Sequence, residues 1–166
     1  MLQPVVRRSW APRGQTPLLR QWDRHDRLSV VSAISVSPHR HRLGLSWEAH
    51  RDNLRTEQML AFLRALRRRL ANGFILILDR WSVHRAAVCR LRERHGRHLQ
   101  VEWLPSYAPE LNPVEQVWNH AKYSDLPNVA PSDLEELDLL VRASITHARG
   151  EQHLLRSFFR TAKLRL

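Results

Sequence analysis

Cysteine is almost missing from this chain: among 166 residues there is one, Cys89. A lone thiol cannot close an internal disulfide or build a zinc site from paired cysteines, and it fits a reducing compartment such as the cytoplasm. Long apolar runs are missing too. The longest uninterrupted aliphatic and aromatic stretch is Phe74 to Leu78, far short of the roughly 20 residues that cross a bilayer, and the N-terminus lacks the apolar core of a signal peptide. No membrane partner is expected. Lysine is limited to Lys122 and Lys163, and no acid precedes Asp23. Repeats, low-complexity tracts and internal linkers are absent. Residues 1–166 therefore read as a single domain, long enough to enclose a core.

What the chain has in quantity is arginine. Basic residues number 27 against 16 acidic ones, a formal charge of +11, and arginine supplies nearly all of it. Arginine forks match phosphate oxygens bidentately, which suits a nucleic-acid partner. A GC-rich coding bias would produce the same excess. The stretch from Met1 to Thr16 is basic and broken by Pro4, Pro12 and Gly14, an arm that exposes Arg7, Arg8 and Arg13.

Beyond the arm, Leu28 to Val36 reads as a strand, and Arg42 to Trp47 as its antiparallel partner across a turn at Ser37-Pro38. From Thr56 the apolar period changes. Met59, Leu63, Leu66 and Leu70 share a helical face, with Arg64, Arg67 and Arg68 largely opposite. Gly73 to Asp79 contains a continuous apolar run ending in an acid, the pattern of a fully buried strand in a parallel or mixed sheet. A helix from about His84 to His95 follows, with Val88 and Leu91 inward and Gly96 placed to end it. Leu99 to Leu104 alternates as a short strand. Further on, Ser132 with Glu135 suggests a capping box. Leu134, Leu137, Val141, Ile145 and Ala148 then line a face up to Gly150, and a last helix from Glu151 buries Leu154, Leu155, Phe158 and Phe159.

The stretch from Leu104 to Trp118 organises the rest. Pro105, Pro109 and Pro113 each fix φ, remove a donor and push the preceding residue out of the α region, so a shaped loop runs to Asn112. Asn112 is a favoured N-cap, Pro113 suits the first helical position, and Glu115 falls where a capping-box acid sits. Glu115 thus has two readings, a helix cap or a carboxylate aimed into a site. Asp79 favours the second, because ligand sites in open α/β sheets gather at the carboxyl ends of strands.

Leu78-Asp79-Arg80-Trp81-Ser82-Val83-His84, followed at the family's spacing by Leu104-Pro105-Ser106-Tyr107-Ala108-Pro109-Glu110-Leu111-Asn112-Pro113-Val114-Glu115, resembles the DDE transposases of bacterial insertion sequences related to the mariner superfamily. Arg80 stands where Asn is commoner. Arg8 to Pro17 resembles the segment that follows the first acid in those proteins. The resemblance implies a ribonuclease H-like α/β catalytic domain, here lacking its first central strand, with Asp79 and Glu115 as the second and third catalytic acids and metal ligands. His84, Tyr107, Asn112 and Pro113 belong to the same motifs, and Tyr107 could either stack on a base or pack its loop. The implied cofactor is Mg²⁺, with Mn²⁺ as an alternative, since hard ions take carboxylate oxygens. Imidazole seldom joins such ions, so His84 reads as structural or substrate-contacting. The implied partner is DNA, as transposon ends and target, met by Arg7, Arg8, Arg13, Arg80 and Lys122. The family's first Asp, on a strand shortly before the arm, has no counterpart here. Three expectations follow: a transposase domain cutting and joining DNA, an inactive remnant that at most binds DNA, or one half of a site completed by a missing N-terminal half or another protomer. Asp23 and Asp26 precede the first recognisable strand, a poor position from which to replace the lost acid.

Overall fold

A computed structural model describes residues 8, 10–15, 28–39, 41–70, 73–95, 99–129 and 131–166. Two strands, β1 (Ser29–Val36) and β2 (Leu43–His50), form an antiparallel hairpin in the register Ser29 to His50 through Val36 to Leu43. Helix α1 (Thr56–Arg69) leads to β3 (Ile75–Leu78), α2 (Ser82–His95) and β4 (Gln100–Trp103). The strands β3 and β4 pair in parallel, Ile75 opposite Gln100 and Leu78 opposite Trp103. A 3₁₀ turn at Pro109–Leu111 introduces α3 (Pro113–His120), which runs into a π-helical turn at Ala121–Asp125. The helices α4 (Leu134–Gly150) and α5 (Gln152–Thr161) follow. The result is a mixed α/β protein with small sheets, compatible with a DDE nuclease domain.

Strand alternation explains where the core sits, because successive side chains of β1 point to opposite faces. Val30 and Ile34 pack with Leu43, Leu45 and Trp47 of β2 on a cluster built from α3, α4 and α5, centred on Val117, Val141, Ile145, Leu155 and Phe158. Val31 and Ala33 face a second cluster formed by Met59, Leu63 and Leu66 of α1, Val88 and Leu91 of α2, and Leu76 of β3. The hairpin is thus covered on both faces. Gln152 ties α5 to β2 through both halves of its amide, accepting from the Leu43 N–H and donating to the Leu43 carbonyl, each at 2.9 Å.

Two expectations need correction. The run Ile75 to Leu78 is buried on one face only: Leu76 is enclosed, whereas Ile75 and Ile77 are 56% and 60% exposed. Among the described residues β3 pairs with β4 alone, and no layer covers the outer face of that pair. The start of α4 also differs by one residue. Asp133, not Ser132, is the N-cap, its Oδ1 accepting from the Glu136 N–H at 2.8 Å, and Glu136 rather than Glu135 reaches back to the Ser132 N–H and hydroxyl at 2.6 and 2.7 Å. Ser and Asp are both good caps, so adjacent residues offered two registers. The Ser132 hydrogen bonds hold the Glu136 carboxyl below its usual range. No helix among the described residues is long and apolar enough to cross a membrane.

Candidate active site

Asp79 is the first residue beyond β3. The ladder continues one step past the paired strands, with the Leu104 N–H donating to the Leu78 carbonyl at 2.8 Å. The chain segments carrying Asp79 and the proline-rich loop therefore leave the sheet side by side, at its carboxyl end. The Asp79 carboxylate is held by its own loop. Its Oδ1 accepts from the Trp81 main-chain N–H at 3.0 Å and from His84 Nδ1 at 2.6 Å. An ionised carboxylate only accepts, so Nδ1 carries the proton. His84 lies in the first turn of α2 and meets the Trp81 indole edge-on, with ring centroids 5.2 Å apart at 83°. One carboxylate oxygen is thereby fixed. The other, Oδ2, has no hydrogen-bond partner among the described residues.

Glu115 follows the proline-rich loop that leaves β4, in the first turn of α3. Tyr107, at the loop tip, has φ of 59° and is fully exposed. The 3₁₀ turn then closes, with the Asn112 N–H donating to the Pro109 carbonyl at 3.0 Å. Asn112 caps α3 by accepting the Val114 N–H at 3.1 Å, and Pro113 occupies the first helical position as expected. Because Pro109 already takes the Asn112 N–H, the bond that a capping-box acid would accept is filled without Glu115. Half-buried, the Glu115 carboxyl is pushed above its usual range, first by burial and then by the negative charge of Asp79. A strand-end carboxylate and a helix-start carboxylate thus feel each other's charge. Such a pair suits a hard divalent cation, which would offset both the burial and the repulsion that raise Glu115. Among the described residues no group of three or more His, Cys, Asp and Glu side chains could hold a metal ion.

The other residues singled out in the sequence scatter. Arg80 is exposed beside Asp79, and Arg8 and Arg13 are exposed in the N-terminal arm. Lys122, half-buried in the π turn, lies 5.4 Å from the ring centre of Tyr123. Arg7, Asp23 and Asp26 fall outside the described residues. The sequence reading took His84 as structural or substrate-contacting and gave no role to Trp81. The structure makes both part of the bracket around Asp79, a contact hinted at only by their placement on the turn entering α2.

A strand-end acid and a helix-start acid whose charges interact, carried on a mixed α/β scaffold, are an arrangement compatible with a nuclease domain. Comparison with known families narrows this. The model of the DDE superfamily endonucleases matches residues 1–138, and the chain belongs to that family. Membership implies a DNA substrate and nuclease- or transposase-like chemistry with divalent metal, typically Mg²⁺. No curated protein and no solved structure matched.

Proposed function

We propose that the chain is a transposase catalytic domain of the insertion-sequence, mariner-like type, in which Asp79 and Glu115 are the second and third acids of a metal-dependent centre for DNA strand cleavage and strand transfer. One observation carries the reading: the Glu115 carboxyl is raised first by burial and then by the charge of Asp79, and is left out of the capping bond that would otherwise explain it. Asp79 Oδ2 and the Glu115 carboxylate are the atoms that would hold Mg²⁺ or Mn²⁺. Bound there, a divalent ion pair would activate the attacking oxygen and neutralise the leaving one. His84 and the Trp81 N–H keep Asp79 turned toward the site. Arg80, with Arg7, Arg8, Arg13 and Lys122, would meet the phosphates of transposon ends or target DNA. A ribonuclease H-like sheet completed by a first strand between β1 and β3 would join the two small sheets and bring a third acid. Work on DNA in the cytoplasm suits the basic charge and the lone thiol.

With two acids identified where the family's chemistry uses three, a second reading is that this chain binds DNA but needs another chain, another protomer or an upstream segment to cut it. One experiment separates the two. The 166-residue chain is expressed beside a version extended upstream in its gene, and both are assayed for Mg²⁺- or Mn²⁺-dependent nicking. The extended form is expected to melt higher and to nick DNA in a manner abolished by Asp79→Asn and by Glu115→Gln. Nicking that survives both substitutions would remove the proposal. Robust nicking by the shorter form would mean that an acid within it completes the site, with Asp23 the first to test.

A further inference from the structure

Trp81 sits two residues beyond Asp79 with 46% of its surface in water. Its position is nevertheless fixed twice, by its main-chain N–H on Asp79 Oδ1 and by the edge-on contact with His84. Propping the imidazole accounts for that single ring contact and leaves much of the indole uncovered. The surroundings have a consistent chemistry. Arg80 and Arg85 are exposed on either side in sequence. Tyr107 is fully exposed, at a φ of 59° that aromatic residues seldom adopt, on the loop leaving β4 alongside the segment that carries Trp81. Exposed aromatic faces interleaved with guanidinium groups are how proteins hold unpaired nucleic acid, with bases stacked on rings and phosphates met by arginine. A paired base inside a duplex has no free face to offer.

We propose that Trp81 stacks on an unpaired nucleobase beside the phosphodiester addressed by Asp79 and Glu115, so that the chain holds a locally single-stranded DNA segment at its site. The proposal rests on the functional reading above and deepens it, since Trp81 acts as a positioning residue and touches no reacting atom.

The test is binding without metal. Affinity of the full chain for a short fluorescein-labelled single strand is measured in EDTA by anisotropy, beside an oligonucleotide of the same length with abasic central positions and beside duplex DNA. Trp81→Leu, which keeps apolar bulk but removes the π face, is expected to weaken binding to the intact single strand by about fivefold or more, the low end of a single base–aromatic stack. Trp81→Phe is expected to restore most of that loss. The abasic strand should bind the wild-type chain less tightly and be insensitive to Trp81→Leu, and duplex affinity should not change. Equal affinity of wild type and Trp81→Leu for the intact strand would overturn the proposal. So would an equal loss on intact, abasic and duplex DNA, the signature of a ring that only props His84. A binding result of this kind is read independently of whether nicking depends on Asp79 and Glu115, so failure of one does not mask failure of the other.

Discussion

At the residue scale, the two acids differ in how they are held. Asp79 is braced by two donors, whereas Glu115 is half-buried and repelled. A carboxyl whose folded pKa lies above its unfolded value binds its proton more tightly in the folded state. Stability is therefore lost as pH rises from the unfolded value toward the folded one, and stays lost above it. Glu115→Gln removes that loss. The variant is expected to melt with the wild type in acid and at or above it at neutral pH, with the gap opening as pH climbs through the carboxylate range. Thermal melts across that range check this, and a variant that melts well below the wild type at neutral pH would mean that the ionised Glu115 carboxylate is stabilised in the fold and not repelled. Added Mg²⁺ should raise the wild-type melting temperature and leave Glu115→Gln nearly unmoved, because only the paired carboxylates gain from the ion. His84→Ala should act through Asp79. Loss of a ligand's orienting partner commonly costs about 10- to 100-fold in metal affinity or activity, so Mg²⁺-dependent melting and nicking should weaken by that order. The metal-free melting temperature should change much less.

At the scale of elements, the sequence was most legible where a pattern depends on its own residues. The loop and cap around Asn112 and Pro113 follow from backbone sterics, and the inward faces of α1 and α2 follow from helical periodicity. The β3 segment was misread because a strand's burial depends on what lies over it, and Ile75-Leu76-Ile77-Leu78 is written as though both faces were covered. The structure covers one. Leu76→Ala should therefore cost about 2–5 kcal/mol, the usual range for truncating an enclosed leucine, whereas Ile77→Thr, two strand positions from Asp79, should cost well under that. Chemical denaturation of the two variants provides the measurement. A large loss in Ile77→Thr would mean that the outer face of the β3–β4 pair is covered in solution. The contact of His84 with Asp79 was illegible for a different reason: five residues apart across a strand end and a helix start, the pair fits no simple period. The motif picks out Asp79 and Glu115 as candidate acids, but not which oxygen of Asp79 lacks a hydrogen-bond partner among the described residues.

At the scale of the whole molecule, the dominant quantity is charge. A net +11 on 166 residues is far more than folding calls for, and much of it stands in water, with Arg67, Arg68 and Arg69 ending α1 and Arg80, Arg85 and Arg92 on and before α2. Some arginine is committed inside the molecule: Arg90 pairs with Glu57 at 2.8 Å and Arg142 with Asp138 at 2.8 Å. Exposed pairs of this kind are screened by solvent and contribute little, so they explain little of the excess. Phosphate explains more. Each phosphate neutralised on duplex DNA releases condensed counterions and contributes about −0.9 to the slope of log affinity against log salt. The chain is expected to bind duplex DNA with little sequence preference and with a slope of about −2.7 or steeper, since one exposed cluster of three arginines alone would neutralise about three phosphates. Titrations of one duplex at several salt concentrations give the slope, and a second, unrelated duplex should give the same line. A nearly flat dependence would point to coding bias as the origin of the arginines. A steep line for one duplex and a much weaker one for the other would mean that base edges, and not the backbone alone, are being read.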